Sequence, residues 1–255
     1  MAENIDKNWK SFIKKAGEFN INLTDNQIKQ FQDYWQFLYE YNKHTNLVSS
    51  AELDIVLSKH FSDSLSFGLL EKELNLSTPK TVLDIGIGGG FPGFPIIIAY
   101  PHLKLCAVDS VGKKTEFLSQ LSEIIGVKDR IEIINSRAEE LIKRIDCHVE
   151  AKASPRNDNL FDIGVSRAVS RLNILLEYTL PFIKVGGFFI AYKAKTSQEE
   201  IEEAKKALNI LGGEVIKTVD YTLLDETRNL ILVKKIKPTP EKYPRRTGIP
   251  NKNPL

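Results

Sequence analysis

At 255 residues, with 42% hydrophobic and 27% charged side chains, the chain has the composition of an ordinary globular protein, either one large α/β domain with an appendage or two small domains. No apolar run approaches the eighteen or so residues of a membrane span, and the polar opening MAENIDKNWKSF does not resemble a signal peptide, so a cytoplasmic protein with no membrane partner is expected. Cys106 and Cys147 lack the paired spacing of a disulfide framework or a thiolate metal site, which predicts no metal and a reducing compartment.

The first eighty residues read as helical. Thr24 with Gln27 three places on is a capping-box signature, and Ile28, Phe31, Trp35, Leu38 and Tyr39 follow at helical spacing. Asn42 and Asn46 read as caps at the end of that helix or as cleft-lining residues. A second helical stretch covers about 52–74 and ends at STPK (77–80). Within it, His60 and Asp63 lie three apart and face the same way, which favours a structural pair or a cleft wall over catalysis.

After Lys80 the pattern changes to short apolar runs alternating with amphipathic stretches. It predicts strands at 81–85, 104–109, 130–135, 161–166 and 187–193. Helices follow at 93–100, 113–125, 138–146, 171–183 and 197–211. That is a βαβ series, hence a doubly wound, mostly parallel sheet. Residues 214–223 and 229–236 are two strands with no room for a crossover helix, so they pair antiparallel. Five βα units closed by an antiparallel hairpin is the order found in class I S-adenosylmethionine (SAM) methyltransferases, a Rossmann-like α/β fold. The expected organisation is a helical extension over 1–78, the methyltransferase domain over 79–237 and a basic tail over 238–255. Residues 147–159 read as a polar surface insertion.

The stretch VLDIGIGGGFPGFPIII (82–98) sits where an open α/β sheet binds ligands, beyond the carboxyl end of its first strand. Gly86, Gly88 and Gly90 let the backbone turn tightly and approach a ligand, and Pro92 and Pro95 suit a helix start. The spacing Gly88, Gly90, Gly93 also fits a dinucleotide fingerprint, with Asp109 about twenty residues on. Asp84 separates the readings. A carboxylate under the loop opposes a pyrophosphate, whereas it suits the ammonium and sulfonium of SAM. The competing reading of Asp84 is a structural cap on the loop. Asp109, ending the second strand, suits ribose hydroxyls.

In NSRAEEL, Ala138 and Glu139 are placed either at an adenine edge or simply at a helix start whose dipole the acids complement. After the fourth strand, VSRAV carries no Asn/Asp-Pro-Pro-aromatic motif for amine methylation, and no cysteine stands where a cytosine-C5 nucleophile is needed. Arg167 stands instead at the cleft mouth, as a site residue or a strand-end salt bridge. A guanine N7 has no proton to remove, so its methylation asks for alignment more than for a base.

From residue 234 on, seven Lys and Arg residues face a single acid, Glu241, giving a net +6 and leaving −4 for the rest of a chain of total charge +2. Such a tail suits a polyanion, the plain alternative being a solvated basic terminus. Tyr243 offers a stacking ring, Arg245 and Arg246 two phosphate forks, and Lys252 a further charge, which points to RNA rather than to packing across the sheet. On this reading the tail carries RNA affinity without cofactor affinity.

These segments together resemble the bacterial 16S rRNA (guanine-N7) methyltransferases, also called the glucose-inhibited division protein B family. The resemblance runs from about residue 41 to 255 in YNKHTNLVS, KHFSDSL, DIGIGGGFPGFPI, VDSVGKKTEFL, NSRAEEL, VSRAV and YPRRTGIPNKNPL. It implies that SAM contacts Gly86, Phe91, Ala138, Glu139 and Arg167, with Arg137 and Lys193 on the guanine or phosphate side as catalytic candidates beside Arg167. It also implies methylation of N7 of a guanine in the decoding-region loop of 16S rRNA, by a monomer acting on the rRNA or the small ribosomal subunit. Ile87 departs from the small or hydroxyl residue often found there in the family, and 147–159 widens the usual spacing. A small-molecule SAM methyltransferase and a non-catalytic ribosome- or RNA-binding module are the alternatives.

Overall fold

The computed structural model describes residues 2–145, 160–167, 170–194 and 198–255; the predicted insertion, Cys147 with it, lies outside them. Helices α1 (Ala2–Glu18) and α2 (Asp25–Thr45) lead, and a helical run α3 covers residues 53–74, with a π-helical stretch at Val56–Ser62. The capping box forms as the sequence predicts, with Gln27 N donating to Thr24 Oγ1 and Thr24 N to Gln27 Oε1. At the other end Asn46 is left-handed and caps α2, while Asn42 exchanges hydrogen bonds with the Val48 backbone. Phe12, Phe31 and Phe61 from the three helices meet at centroid distances of 4.9–5.9 Å, so the extension carries its own share of the core.

The α/β part then runs β1 (Thr81–Ile85), α4 (Gly93–Ala99), β2 (Lys104–Asp109), α5 (Gly112–Ile124), β3 (Ile131–Asn135), α6 (Leu141–Ile145) and β4 (Phe161–Arg167). It continues with α7 (Leu172–Thr179), β5 (Ile183–Lys193), α8 (Gln198–Glu203), α9 (Lys205–Leu211), β6 (Gly213–Leu223), β7 (Glu226–Lys235) and a last turn, α10 (Ile249–Lys252). The sheet order is β3-β2-β1-β4-β5-β7-β6, with β7 antiparallel to both neighbours. This is the predicted class I methyltransferase order. Val82, Leu83 and Asp84 are fully buried, as a central parallel strand covered on both faces requires.

The helix expected over 171–183 ends at Thr179, that over 197–211 is two helices, and the α-helix expected from 138 starts at Leu141. Two strand starts differ by more than one residue. β5 begins at Ile183 because the backbone of Leu180–Phe182 turns directly into the sheet, and β7 begins at Glu226 because the hairpin closes in two residues. Those two, Leu224 and Asp225, both have positive φ (48° and 62°), the geometry of a tight hairpin built here without glycine. Among the described residues no helix is long and apolar enough to cross a membrane.

The chain winds outward from β1 through β2 to β3, then returns to place β4 on the other side of β1. The reversal opens a crevice at the carboxyl ends of β1 and β4, where such sheets bind their ligands.

Candidate functional site: two clefts that meet at Arg167

The glycine loop is held from both sides. Gly86 N and Ile87 N both donate to Val108 O at the end of β2 (2.9 and 3.2 Å). From α2, Tyr34 Oη donates to Gly89 O (2.6 Å). Gly86, Gly88 and Gly90 have φ of 76°, 61° and 107°. Ile87 is 1% exposed with its side chain in the core, so its size there affects packing and not the ligand face. Gly90 is tighter than Gly88 or Gly89, since a Cβ would lie 2.2 Å from Tyr34 Oη. Gly90→Ala is therefore expected to cost about 3 kcal/mol of stability, from the positive φ and the clash together. Removing the hydroxyl in Gly90→Ala/Tyr34→Phe should recover part of it. A denaturation midpoint for Gly90→Ala equal to the parent's would contradict this geometry.

Asp84 sits where the competing reading, a cap on the loop, places it. Its carboxyl is fully buried beneath the loop rather than in the cleft; Oδ2 accepts from Gly93 N (2.8 Å) and Oδ1 is unpartnered. Burial pushes its pKa up to about 8, against a smaller downward pull from the Gly93 hydrogen bond. Burial thus favours the neutral acid, and the carboxyl caps the loop through Gly93 N. Because the folded pKa lies above the unfolded one, this group's stabilisation is full at acid pH and is lost as pH rises towards 8. Asp84→Asn keeps an acceptor for Gly93 N and removes that pH dependence. Its melting temperature relative to the parent should thus rise between pH 5 and pH 9, with SAM affinity little changed. A difference that is flat or falls with pH, or a large loss of SAM affinity, would reinstate a charged Asp84.

Beyond the loop lies a cleft of about 340 Å³ over the ends of β3, β2, β1 and β4. Gly86, Asp109, Ala138, Glu139 and Arg167, the candidate cofactor residues, line it, together with Val111, Lys114, Tyr178 and the tail residue Asn251; Arg137, expected on the guanine or phosphate side, lines this cleft as well. Asp109, 5% exposed, accepts from Val111 N and Gly88 N (3.0 Å each), which fixes the carboxylate while leaving further acceptor capacity. Gly88 and Gly90 do not line this space and act through the shape of the loop. The arrangement fits SAM. Val108, Val111 and Ala138 offer an apolar seat, Asp109 a carboxylate acceptor and Arg167 a guanidinium at the far end.

Phe91 stands beside this cleft. Its ring, 4% exposed, stacks on Tyr34 and His60 (centroids 5.5 and 4.8 Å) and lies under the Arg167 guanidinium (5.1 Å). It supports Arg167 rather than lining the cofactor cleft.

A second cleft of about 330 Å³ adjoins the first and shares Arg167 with it. Lys59, His60, Asp63, Tyr192, Lys193 and Arg228 contribute to its walls, so basic groups outnumber the acid. Arg167 spans both clefts. One guanidinium nitrogen donates to Asp63 Oδ2 (2.9 Å) and Lys59 O (3.1 Å), and the other approaches His60 Nδ1 (3.1 Å). Asp63 in turn accepts from Tyr221 Oη (2.6 Å). Burial first, and Arg167 second, lower the His60 pKa to about 4, so the ring is neutral at physiological pH. Arginine has no acceptor, so His60 Nδ1 must accept and the ring proton sits on Nε2. Lys193 Nζ pairs with Glu200 Oε1 (2.5 Å) and donates to Ser170 O (2.9 Å). Tyr34, Tyr221 and Arg228 carried no motif, and Asn251 lies in the tail motif YPRRTGIPNKNPL without having been assigned to this cleft; only the fold brings the four to the site.

The tail behaves differently from expectation. Tyr243 is 8% exposed and packs in the cluster of Leu172, Leu176 and Leu211, so its ring is not a free stacking platform. Arg245 forks onto the buried Glu177 (Nε to Oε1 2.8 Å, terminal nitrogen to Oε2 2.6 Å) and is not free for a phosphate. Packing won over exposure at both positions. Arg246 and Lys252 are exposed.

This sheet order, glycine loop and cleft define a class I SAM-dependent methyltransferase. The sequence matches the family described as rRNA small subunit methyltransferase G over residues 27–231. Among curated relatives, the ribosomal RNA small subunit methyltransferase G of Acetivibrio thermocellus is 43% identical, covering 100% of both chains. That of Limosilactobacillus reuteri is 44% identical over 97% of this chain and 99% of its own. In fold alone, the O-methyltransferase from Bacillus cereus in complex with SAH is similar, with a TM-score of 0.52 at 13% identity over 78% of this chain and 89% of that one. The chain belongs to the rRNA small subunit methyltransferase G family.

Proposed function

We propose that this chain transfers the methyl group of SAM to N7 of a guanine in the decoding-region loop of 16S rRNA, acting in the cytoplasm as a monomer. The observation that carries the reading is the junction at Arg167, where a cofactor-sized cleft opens onto a basic one. When bound, SAM supplies a methyl on a positively charged sulfur that a lone pair can displace in line.

The protein's own residues then have to align and shield. Gly86 and the loop it opens bring the backbone against the methionine part, Asp109 accepts from the ribose hydroxyls, and Ala138 closes on the adenine. Arg167 pairs with the cofactor carboxylate from one cleft and is fixed by Asp63 and His60 in the other. Lys59 offers exposed positive charge to the phosphates around the target nucleotide, with Arg137, Arg246 and Lys252 also exposed. Lys193 and Arg228 stand in the same wall already paired to Glu200 (2.5 Å) and Glu226 (2.7 Å). Guanine N7 needs no base, and neutral His60, with Nδ1 committed to Arg167, is not placed as one. Cys106 is buried within β2, its thiol pKa raised by burial, which suits no nucleophilic role.

The reading is tested by offering methyl-labelled SAM together with undermethylated small-subunit rRNA and, separately, small purine and phenol acceptors. Label should enter the rRNA and not the small acceptors. Transfer to a small acceptor with none to rRNA would overturn it.

A further inference from the structure

We propose that tail residues 247–251 form a wall of the cofactor cleft and that Asn251 contacts the adenosine end of SAM. This deepens the cofactor reading and rests on it. The sequence assigns the tail to RNA alone, but the chain returns to the site. Asn251 lines the cleft alongside Ser136, Ala138 and Glu139, the loop that follows β3.

The approach is built and not incidental. Gly248 N donates to Glu139 Oε1 (3.0 Å), and Thr247 Oγ1 donates to Glu140 Oε1 (3.0 Å). Just before them Arg245 is anchored to the buried Glu177 of α7. Gly248, at φ 83°, turns the chain so that Ile249–Lys252 forms a helical turn beside this loop, and the buried Pro250 fastens it. The tail thus holds Glu139, a residue that the family resemblance assigns to the cofactor.

The chemistry names which end of SAM is served. Arg167 lies past β4, whereas Asn251 meets the loop after β3, at the other side of the same cleft. The amino acid end belongs with the guanidinium, so the adenosine lies under the tail. An asparagine amide carries both a donor and an acceptor, the pair that an adenine edge complements.

Calorimetry with S-adenosylhomocysteine tests this on the full chain, on Asn251→Ala, on Lys252→Ala and on a chain ending at Arg246, which keeps the Arg245–Glu177 anchor. Asn251→Ala should weaken binding about 5-fold, the order of one net hydrogen bond, with an unchanged melting temperature. The shortened chain should lose more, and Lys252→Ala should bind as the parent does. Parent-like affinity in both Asn251→Ala and the shortened chain overturns this inference alone. A parent chain that binds no S-adenosylhomocysteine overturns the cofactor reading and this inference with it.

Discussion

Arg167→Ala should lose methyl transfer by at least about 100-fold and stability by about 3 kcal/mol, and the two losses should separate. The stability loss follows from Asp63. Its side chain is 4% exposed, and without the guanidinium it keeps Tyr221 Oη but no counter-charge. For a chain of this size that is a fall of roughly 6–12 °C in melting temperature. The sequence alone places Arg167 at a cleft mouth, where alanine looks harmless to the fold; the geometry makes it a strut as well. Arg167→Ala/Asp63→Asn should recover most of the stability, because a neutral amide no longer needs the partner, and none of the activity. Arg167→Lys should recover both only in part, since one ammonium cannot serve Asp63, His60 and the Phe91 face together. If the double variant regains parent activity with its stability, Arg167 is structural and nothing more.

Arg245→Ala should be among the most destabilising single changes in the tail, by about 3–4 kcal/mol, or on the order of 10 °C. Glu177 is 1% exposed and takes hydrogen bonds from the Arg245 backbone N, Nε and terminal nitrogen, at 2.9, 2.8 and 2.6 Å. Truncating the arginine leaves that carboxylate with the backbone amide alone. Arg245→Lys should rescue little because the fork is lost, and Arg245→Ala/Glu177→Gln should rescue most. Thermal melts decide it. A parent-like melting temperature for Arg245→Ala, with a reduced salt slope of RNA binding, would restore the phosphate role that the tail's composition suggests.

Sheet order, the closing antiparallel pair and the glycine loop were legible because each rests on local chemistry: alternating βα patterns, glycines at tight turns and a hairpin too short for a crossover. The capping box at Thr24 and Gln27 was legible for the same reason. The hairpin end was not, since Leu224 and Asp225 adopt positive φ without the glycine or asparagine that announces such turns. Within the candidate site, the positions of Asp109, Ala138 and Arg167 at the cleft were readable from their places after strands. The burial of Asp84 and its hydrogen bond from Gly93 N, nine residues away, were not legible in the sequence. Tyr34 and Arg245 were opaque or misread for a related reason, as their partners Gly89 and Glu177 lie 55 and 68 residues distant. Composition could count the charges of the tail, but it could not show that Arg245 is paired with Glu177 and that Lys235 is buried against the carbonyls of Leu180 and Leu211.

The central claim, N7 methylation of a small-subunit rRNA guanine, is tested most directly by mapping the labelled base after reaction of the full chain with methyl-labelled SAM and undermethylated 16S rRNA or small subunits. Digestion to nucleosides should return the label as 7-methylguanosine, and strand scission at methylated N7 should place it at one position in the decoding-region loop. Label recovered in another nucleoside or at a ribose, or an rRNA left unlabelled by a chain that binds SAM, would contradict the account.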